Sequence, residues 1–551
     1  MTDLTTPTKR APQQRLLEQR QSAQKQQPEQ KQLSGALHLL GRQLVNAGRF
    51  EEARESLKLS LDLFPGQAGC HFDLGNVFYA DGRIEEAVAE YRHAVRCDSR
   101  LSPAWYNMGV ALMQAGRFDD AEHAYRRTLR FSPNQPETHN NLGILLQSTG
   151  RRKEAMQHYR AAARLRPGFY EPRFNLGCLL QDTGKLEEAR VVFEALLADC
   201  PHHTEASNNL ANVLTELARH QEARARYEAV LERNPEHALS RWNLGLNQLR
   251  TADWPAGWKN YEWRLRQTGS LSPRSSQPRW SGEKLNGARL LLTAEQGMGD
   301  LLQFVRFIKN RALEGARVTL ECHRPLLELF RRMPELERVI EVGSELPQHD
   351  VWLPLMSLPS VLGTTIDALP ASEAPYLTAD EQRVELWRNR LRGFEGLRVG
   401  FAWSGNPKFR INAKRSLGAR DVRALSRFIS KSAKQSGARP VHLFSLQKGV
   451  PAPPGAGLIP LSDDPSSMDD LAAVMMNLDL ILTVDTSVAH LAGALGRPVW
   501  TMLAFHADWR WMTAERVESP WYPTMKLLRQ TSQGDWSNVL VEVERGINGM
   551  R

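Results

Sequence analysis

The sequence predicts an α-solenoid followed by two consecutive α/β domains, and three observations carry that prediction. In the first half a small residue, an alanine and an aromatic recur every 34 residues. Beyond about residue 285 that period gives way to apolar runs alternating with amphipathic ones, and between the two lies a Ser- and Pro-rich stretch, residues 268–285. A chain of 551 residues needs several cores at ~100–200 residues each.

The repeats come first. Gly41, Gly75, Gly109, Gly143, Gly177 and Gly245, with Ala211 in the sixth register, keep the 34-residue step. So do Ala53, Ala87, Ala121, Ala155, Ala189 and Ala223, and then Tyr91, Tyr125, Tyr159, Phe193, Tyr227 and Tyr261. Pro65, Pro133, Pro167, Pro201 and Pro235 close most units. Each unit therefore reads as two antiparallel helices: the small residues let them approach, the aromatic fills the space between, and proline stops the second. This pattern resembles the tetratricopeptide repeat family, with seven copies over residues 34–267. The resemblance implies a superhelix whose concave face takes a protein or peptide partner.

A further series, Asn107, Asn141, Asn175, Asn209 and Asn243, keeps the same step. Two readings stand side by side. The amides line the superhelix and grip a peptide backbone, since each offers a donor and an acceptor, or they serve helix packing. The ladder also resembles the peptide-holding asparagines of O-linked N-acetylglucosamine transferase. In the seventh unit Trp254, Trp258 and Trp263 are expected to seal the repeats onto the second half of the chain.

Residues 1–33 are rich in Gln and charge, lack an apolar signal core, and are expected to be disordered. The net charge of +9, from 71 basic and 62 acidic residues, is too thinly spread for a nucleic-acid-binding face. No apolar run is long enough to cross a bilayer. Cys70, Cys97, Cys178, Cys200 and Cys322 form no C-x-x-C pair, which argues against a disulfide frame or a zinc site and for a cytoplasmic location.

In the second half "ARLLLTAEQ", "ARVTLECH", "RVIEV" and "DVWLPL" read as strands, with helices at 300–315 and at "PLLELFRRM". A helix at "DEQRVELWRNRLRGF" precedes a second set with strands "LRVGFAW", "PVHLFSL", "DLILTV" and "PVWTML". Alternation of this kind gives parallel sheets, here in domains 286–395 and 396–551 with a cleft between them. Ligands in such sheets gather beyond the carboxyl ends of the strands. The residues there are "SGNPKFRINAKRS", which begins at Ser404 and carries Lys408, Arg410, Lys414 and Arg415; Gln447 and Lys448; and Asp485, Thr486 and Ser487 at a helix start. Exposed amides opposite basic side chains suit a diphosphate.

The segment "VDTSVAHLAGALGRPVW", with "GMGD" upstream, resembles glycosyltransferases of the heptosyltransferase type, family 9 of the GT-B fold, over residues 286–551. The resemblance implies two Rossmann-like domains, acceptor and catalysis in the first and a nucleotide-sugar in the second. It also implies inversion at the anomeric carbon and no need of metal or cofactor. Asp485, Thr486, Ser487 and His490 match the donor motif; Ser404, Lys408, Arg415, Ser416, Gln447 and Lys448 stand in loops where donor contacts are usual. Asp300 matches the proposed general base, with Gly297, Gly299 and Gln303 beside the acceptor cleft. Repeats before such a domain also match the layout of O-linked N-acetylglucosamine transferase.

Plainer readings run alongside. Asp300 is well placed to cap a helix, and His490 to pack within an apolar stretch. The pairs Asp463–Asp464 and Asp469–Asp470 read as a loop and a helix start, and the tryptophans of "FHADWRWM" as core. A dinucleotide site is disfavoured because Leu302 stands where G-x-G-x-x-G needs its third glycine. A non-catalytic repeat scaffold is the main rival to a glycosyltransferase. The linker implies that deleting residues 1–267 leaves donor chemistry and removes protein transfer.

Overall fold

A computed structural model describes residues 10–267, 275–369, 375–406, 412–435, 439–461 and 467–550. The chain divides into two compact units, one up to Asn209 and one from Leu210 onward.

The first unit is an α-solenoid of antiparallel helix pairs, such as Ala68–Ala80 with Ile84–Cys97 and Ser102–Gln114 with Phe118–Phe131. The repeating glycines have a steric cause. A Cβ on Gly75, Gly109 or Gly143 would stand 2.6 Å from the ring of Tyr91, Tyr125 or Tyr159, so only glycine lets each ring lie flat on the neighbouring helix. The rings are buried in consequence. The second helices stop two residues before the proline, at Phe131, Leu165 and Asp199, as the missing N–H requires. The tail departs from expectation: the backbone is helical from Arg10 to Asn46, through residues read as disordered. Gln, Arg, Lys and Leu are good helix formers, and low hydropathy alone does not oppose a helix that continues a packed one.

A second 34-residue series governs the turns within units. Gly48, Gly82, Gly116, Gly150 and Gly184 hold positive φ between 71° and 82°. In the second unit the same turn is made by Ala218, φ 60°, and Ala252, φ 69°. A Cβ in that region costs about 1–2 kcal/mol. Ala218→Gly is therefore expected to stabilise by about 0.5 kcal/mol or more after the entropy of the unfolded glycine is counted, read as a raised urea midpoint.

The second unit opens with the last repeat helices, among them His220–Arg233, Ala238–Arg250 and Trp254–Tyr261. It continues into two wholly parallel sheets. The first has order β3-β2-β1-β4, from β1 (Arg289–Thr293), β2 (Arg317–Cys322), β3 (Arg338–Glu341) and β4 (Val351–Pro354). The second has order β6-β5-β7-β8-β9, from β5 (Leu397–Ala402), β6 (Val441–Ser445), β7 (Leu480–Val484), β8 (Val499–Leu503) and β9 (Met525–Arg529). β7 is buried along its whole length, as a central parallel strand covered on both faces must be.

Several elements differ from expectation. β9 lies in "PTMKLLRQ", where no strand is expected. The helix expected over 300–315 is Met298–Phe304, followed by 3-10 turns at Val305–Lys309 and Arg311–Leu313. Part of the linker is held: Trp280 is buried and its N–H donates to Trp352 O at 2.9 Å, alongside β4. The tryptophan seal forms from two of its three members. Trp254 (0% exposed) stacks on Trp521 at 5.0 Å, and Trp258 (2% exposed) meets Trp509 edge-on at 5.5 Å and Phe304 at 6.1 Å. Trp263 instead lies half-buried beneath the guanidinium groups of Arg241 and Arg266, because helical spacing turns it away from the junction. Leu249, Trp254, Trp258 and Tyr261 share one buried cluster with Leu290 and Leu292 of β1 and Ile481 of β7.

Candidate functional site

Two short helices bring the distant motifs together. The helix Met298–Phe304 follows β1, and the helix Ser487–Ala494 follows β7. They cross so closely that a Cβ on Gly299 would stand 3.0 Å from His490 Cδ2 and 3.7 Å from Ser487 Cα. Gly299 thus leaves room for the two helices to cross at this point.

Asp300 does two things at once. Its Oδ2 accepts the Gly297 N–H at 2.9 Å, the capping contact, and its Oδ1 accepts from Arg510 Nη2 at 2.5 Å. Its side chain is 19% exposed. Burial pushes its carboxyl up; the Arg510 charge opposes that, and Asp508 adds to it.

Arg510 is the hub. Its Nε donates to Gln303 Oε1 at 2.6 Å and its Nη1 to Asp508 Oδ1 at 2.9 Å, while its guanidinium lies 4.6 Å from the Trp509 ring. Gln303 is fully buried, and its Nε2 has no partner among the described residues. Glu295, which opens the "EQGMGD" stretch, is gripped by both arms of Arg264: Nε donates to Oε1 at 3.1 Å and Nη2 to Oε2 at 2.8 Å.

Beyond β7, burial raises the Asp485 carboxyl to about 6, with Asp508 adding to the rise and Arg415 opposing it. A carboxyl near 3.9 unfolded and near 6 folded binds more protons in the native state between those values, so stability falls as pH rises from about 4 to 6. Asp485→Asn is therefore expected to gain about 2 kcal/mol at pH 7.5 and nothing at about pH 4, measured by urea denaturation at both. Equal gains at the two pH values contradict this cause. Thr486 caps the following helix through the Val488 N–H at 3.3 Å, and Ser487 begins it, half-buried.

His490 is buried, shares a 2.9 Å hydrogen bond with the Tyr522 hydroxyl and stacks on Trp511 at 5.3 Å. Burial first, and Arg510 second, hold it down to about 3, so the ring is neutral near pH 7.

The loop after β5 forms its own network. Gln447 Oε1 accepts the N–H groups of Trp403 at 3.1 Å and Ser404 at 2.9 Å; Asn412 Nδ2 donates to Ser404 Oγ at 3.2 Å, and Ser416 Oγ to Asn412 Oδ1 at 3.0 Å. Ser404, Ser416 and Gln447 are thereby brought together, with Arg415 Nη2 2.9 Å from where a Gly405 Cβ would be. Lys448 is exposed beyond β6. Lys408 and Arg410 lie outside the described residues, as do Asp463 and Asp464. Asp469 and Asp470 start the helix Met468–Met475, and Asp469 pairs with Arg332 of the first half.

Residues 465–532 match glycosyltransferase family 9 (heptosyltransferase). The family 9 segment contains Asp485, Thr486, Ser487 and His490, and also Asp508 and Arg510. The tetratricopeptide repeat family matches at 34–57, 75–116, 106–168 and 180–244. Protein FlbA of Caulobacter vibrioides is 26% identical over 333 residues, 52% of this chain and 51% of that protein. The chain thus spans about half the length of this curated relative. Among solved structures, YrrB, described as a tetratricopeptide repeat protein with an unusual peptide-binding site, is 22% identical, covers 34% of this chain and 96% of its own, and has a TM-score of 0.32. Pseudomonas aeruginosa pilF is 19% identical, with 39% and 97% covered and a TM-score of 0.34.

Asp508 and Arg510 of the family 9 segment are the residues that sequence reasoning missed. Their signal was positional: both follow β8 in "HADWRWM", past a carboxyl end like the other loops, but the flanking tryptophans read as core.

The asparagine series is half-buried throughout. In the first unit Asn107 Nδ2 donates to Asn76 Oδ1 at 2.7 Å, Asn141 to the Tyr106 hydroxyl at 3.2 Å, Asn175 to Asn140 Oδ1 at 3.1 Å and Asn209 to Cys178 Sγ at 3.3 Å. In the second, Asn243 donates to Asn212 Oδ1 at 3.1 Å. Each ladder amide thus bonds to the first helix of the preceding repeat, a packing contact.

Proposed function

We propose that this protein is an inverting, metal-independent glycosyltransferase of GT-B type that moves a sugar from a nucleotide-sugar to a protein held by the repeats, in the cytoplasm. The observation that carries the reading is the contact of Asp300, from the first sheet's half, with Arg510 of the family 9 segment, beside the close approach of Gly299 to His490 and Ser487. In this mechanism Asp300 takes the proton of an acceptor hydroxyl as its oxygen attacks the anomeric carbon from the face opposite the leaving group. The bond from that carbon to the diphosphate oxygen breaks, and the departing charge is met by Arg415, Lys408 and the N–H groups at Thr486–Val488. The ladder amides, Asn107, Asn141, Asn175 and Asn209 in the first unit and Asn243 in the second, are each offered to the backbone of an acceptor. Support for an acceptor on the repeats comes from the repeat family itself, whose concave faces commonly take peptides.

One observation favours a second reading, a repeat scaffold without catalysis: both carboxylate oxygens of Asp300 are already bonded, one to Gly297 and one to Arg510. The experiment that separates them offers the full chain a panel of UDP-, GDP-, ADP- and CMP-linked sugars and follows binding by calorimetry and nucleotide release by chromatography. Binding with release supports the enzyme; neither binding nor release across the panel leaves the scaffold.

A further inference from the structure

We propose that Arg510 is the positioning residue for Asp300: its guanidinium fixes Oδ1 and supplies the positive charge that keeps this enclosed carboxylate ionised and ready to take a proton. The proposal rests on the reading of Asp300 as the base. Three features of the geometry carry it. The guanidinium is held on three sides, by Gln303 Oε1 at 2.6 Å, Asp508 Oδ1 at 2.9 Å and Asp300 Oδ1 at 2.5 Å, so its direction is fixed before any ligand arrives. It is 9% exposed, so its charge acts on the carboxylate with little screening by water. And it comes from the family 9 segment while Asp300 comes from the β1 loop, so the base is complete only when the two halves of the unit are together.

Among the described residues Asp300 faces few other charges. Asp508 opposes Arg510 from the same loop, Tyr261 of the last repeat has its hydroxyl pushed well above its usual range, and His490 beneath Gly299 is neutral. Asp485 and Arg415 act on each other and are not among the groups that shift Asp300, and Glu295 is paired with Arg264. Arg510 is thus, among the described residues, the cation that opposes the effect of burial on Asp300. A guanidinium serves here better than an ammonium because its planar fork reaches three acceptors at once.

The test uses the full chain carrying 13Cγ-labelled aspartate, with the Asp300 resonance identified by its loss in Asp300→Asn. Arg510→Gln is expected to raise the titration midpoint of Asp300 by about one pH unit or more. Arg510→Lys is expected to raise it by less than half as much, since it restores the charge without the fork. Asp508→Asn, which removes the opposing negative charge, is expected to lower it. The acid limb of nucleotide-sugar turnover should move with the midpoint in each variant, and a cooperative urea transition followed by circular dichroism reports whether the fold persists. Midpoints unchanged in folded Arg510→Gln, or in Arg510→Lys and Asp508→Asn where the glutamine variant does not fold, overturn the role of Arg510. Undiminished turnover by Asp300→Asn overturns the reading of Asp300 as base instead, and leaves the measured effect of Arg510 on its ionisation as a separate result.

Discussion

Exchanging Asp300 for asparagine is expected to lower sugar transfer by about 10²- to 10⁴-fold while leaving nucleotide-sugar affinity in place, the range by which a positioned general base contributes. Asparagine keeps the shape of the side chain and an oxygen for the Gly297 N–H, which now bonds Asp300 Oδ2 at 2.9 Å, so the helix start survives. Arg510 retains Gln303 and Asp508 as partners. What disappears is the capacity to accept a proton. Donor affinity is expected to persist because the loops proposed to bind the donor belong to the other half of the unit. The measurement pairs calorimetric donor binding with single-turnover rates; full turnover would make Asp300 a capping acid and nothing more.

The second large effect falls at the junction of the last repeat with the α/β half. Trp258→Ala is expected to cost about 3–5 kcal/mol, as loss of a fully buried tryptophan does, and to bring down donor binding and transfer together. The ring fills the space between Trp254, Tyr261, Phe304 and Trp509, and its Nε1 donates to Thr364 O at 3.1 Å. Deletion of residues 1–267 removes Trp254, Trp258 and Tyr261 as well as Arg264 and Arg250, whose Nη1 holds Ala507 O at 2.7 Å. That deletion is expected to yield insoluble or unfolded protein. A chain starting at residue 204, the first of the helix Thr204–Glu216, is expected to keep a cooperative unfolding transition and donor binding. Equal behaviour of the two truncations in circular dichroism and calorimetry would contradict the shared core.

The solenoid was legible because each unit poses the same steric problem and solves it with the same residues. A glycine facing a tyrosine at a fixed interval means that two helices touch there, unit after unit. The parallel sheets were legible for a related reason, as apolar strands buried on both faces read as continuous runs. β9 was missed because "MKLLR" is short and carries two charges, and the 300–315 helix was overextended because apolar periodicity does not distinguish an α-turn from a 3-10 turn. In the site, the motif residues Asp300 and Asp485–His490 stood out by position after strands. The Asp300–Arg510 contact did not, since it joins residues 210 apart through the packing of two halves of the unit, and no local pattern encodes that distance. At the linker, a Ser- and Pro-rich stretch marks a change of architecture, while Trp254 and Trp258 carry one core across it.

The grip of Arg264 on Glu295 has a mechanical meaning. A bidentate guanidinium–carboxylate pair, with a further bond from Arg264 Nη2 to Ser357 Oγ at 2.8 Å, resists both sliding and rotation. Glu295 lies only five residues before Asp300, so there is almost no slack between the end of the last repeat and the carboxylate. The terminal repeat and the "EQGMGD" loop are therefore joined by a clamp rather than a hinge, and the position of one sets the position of the other.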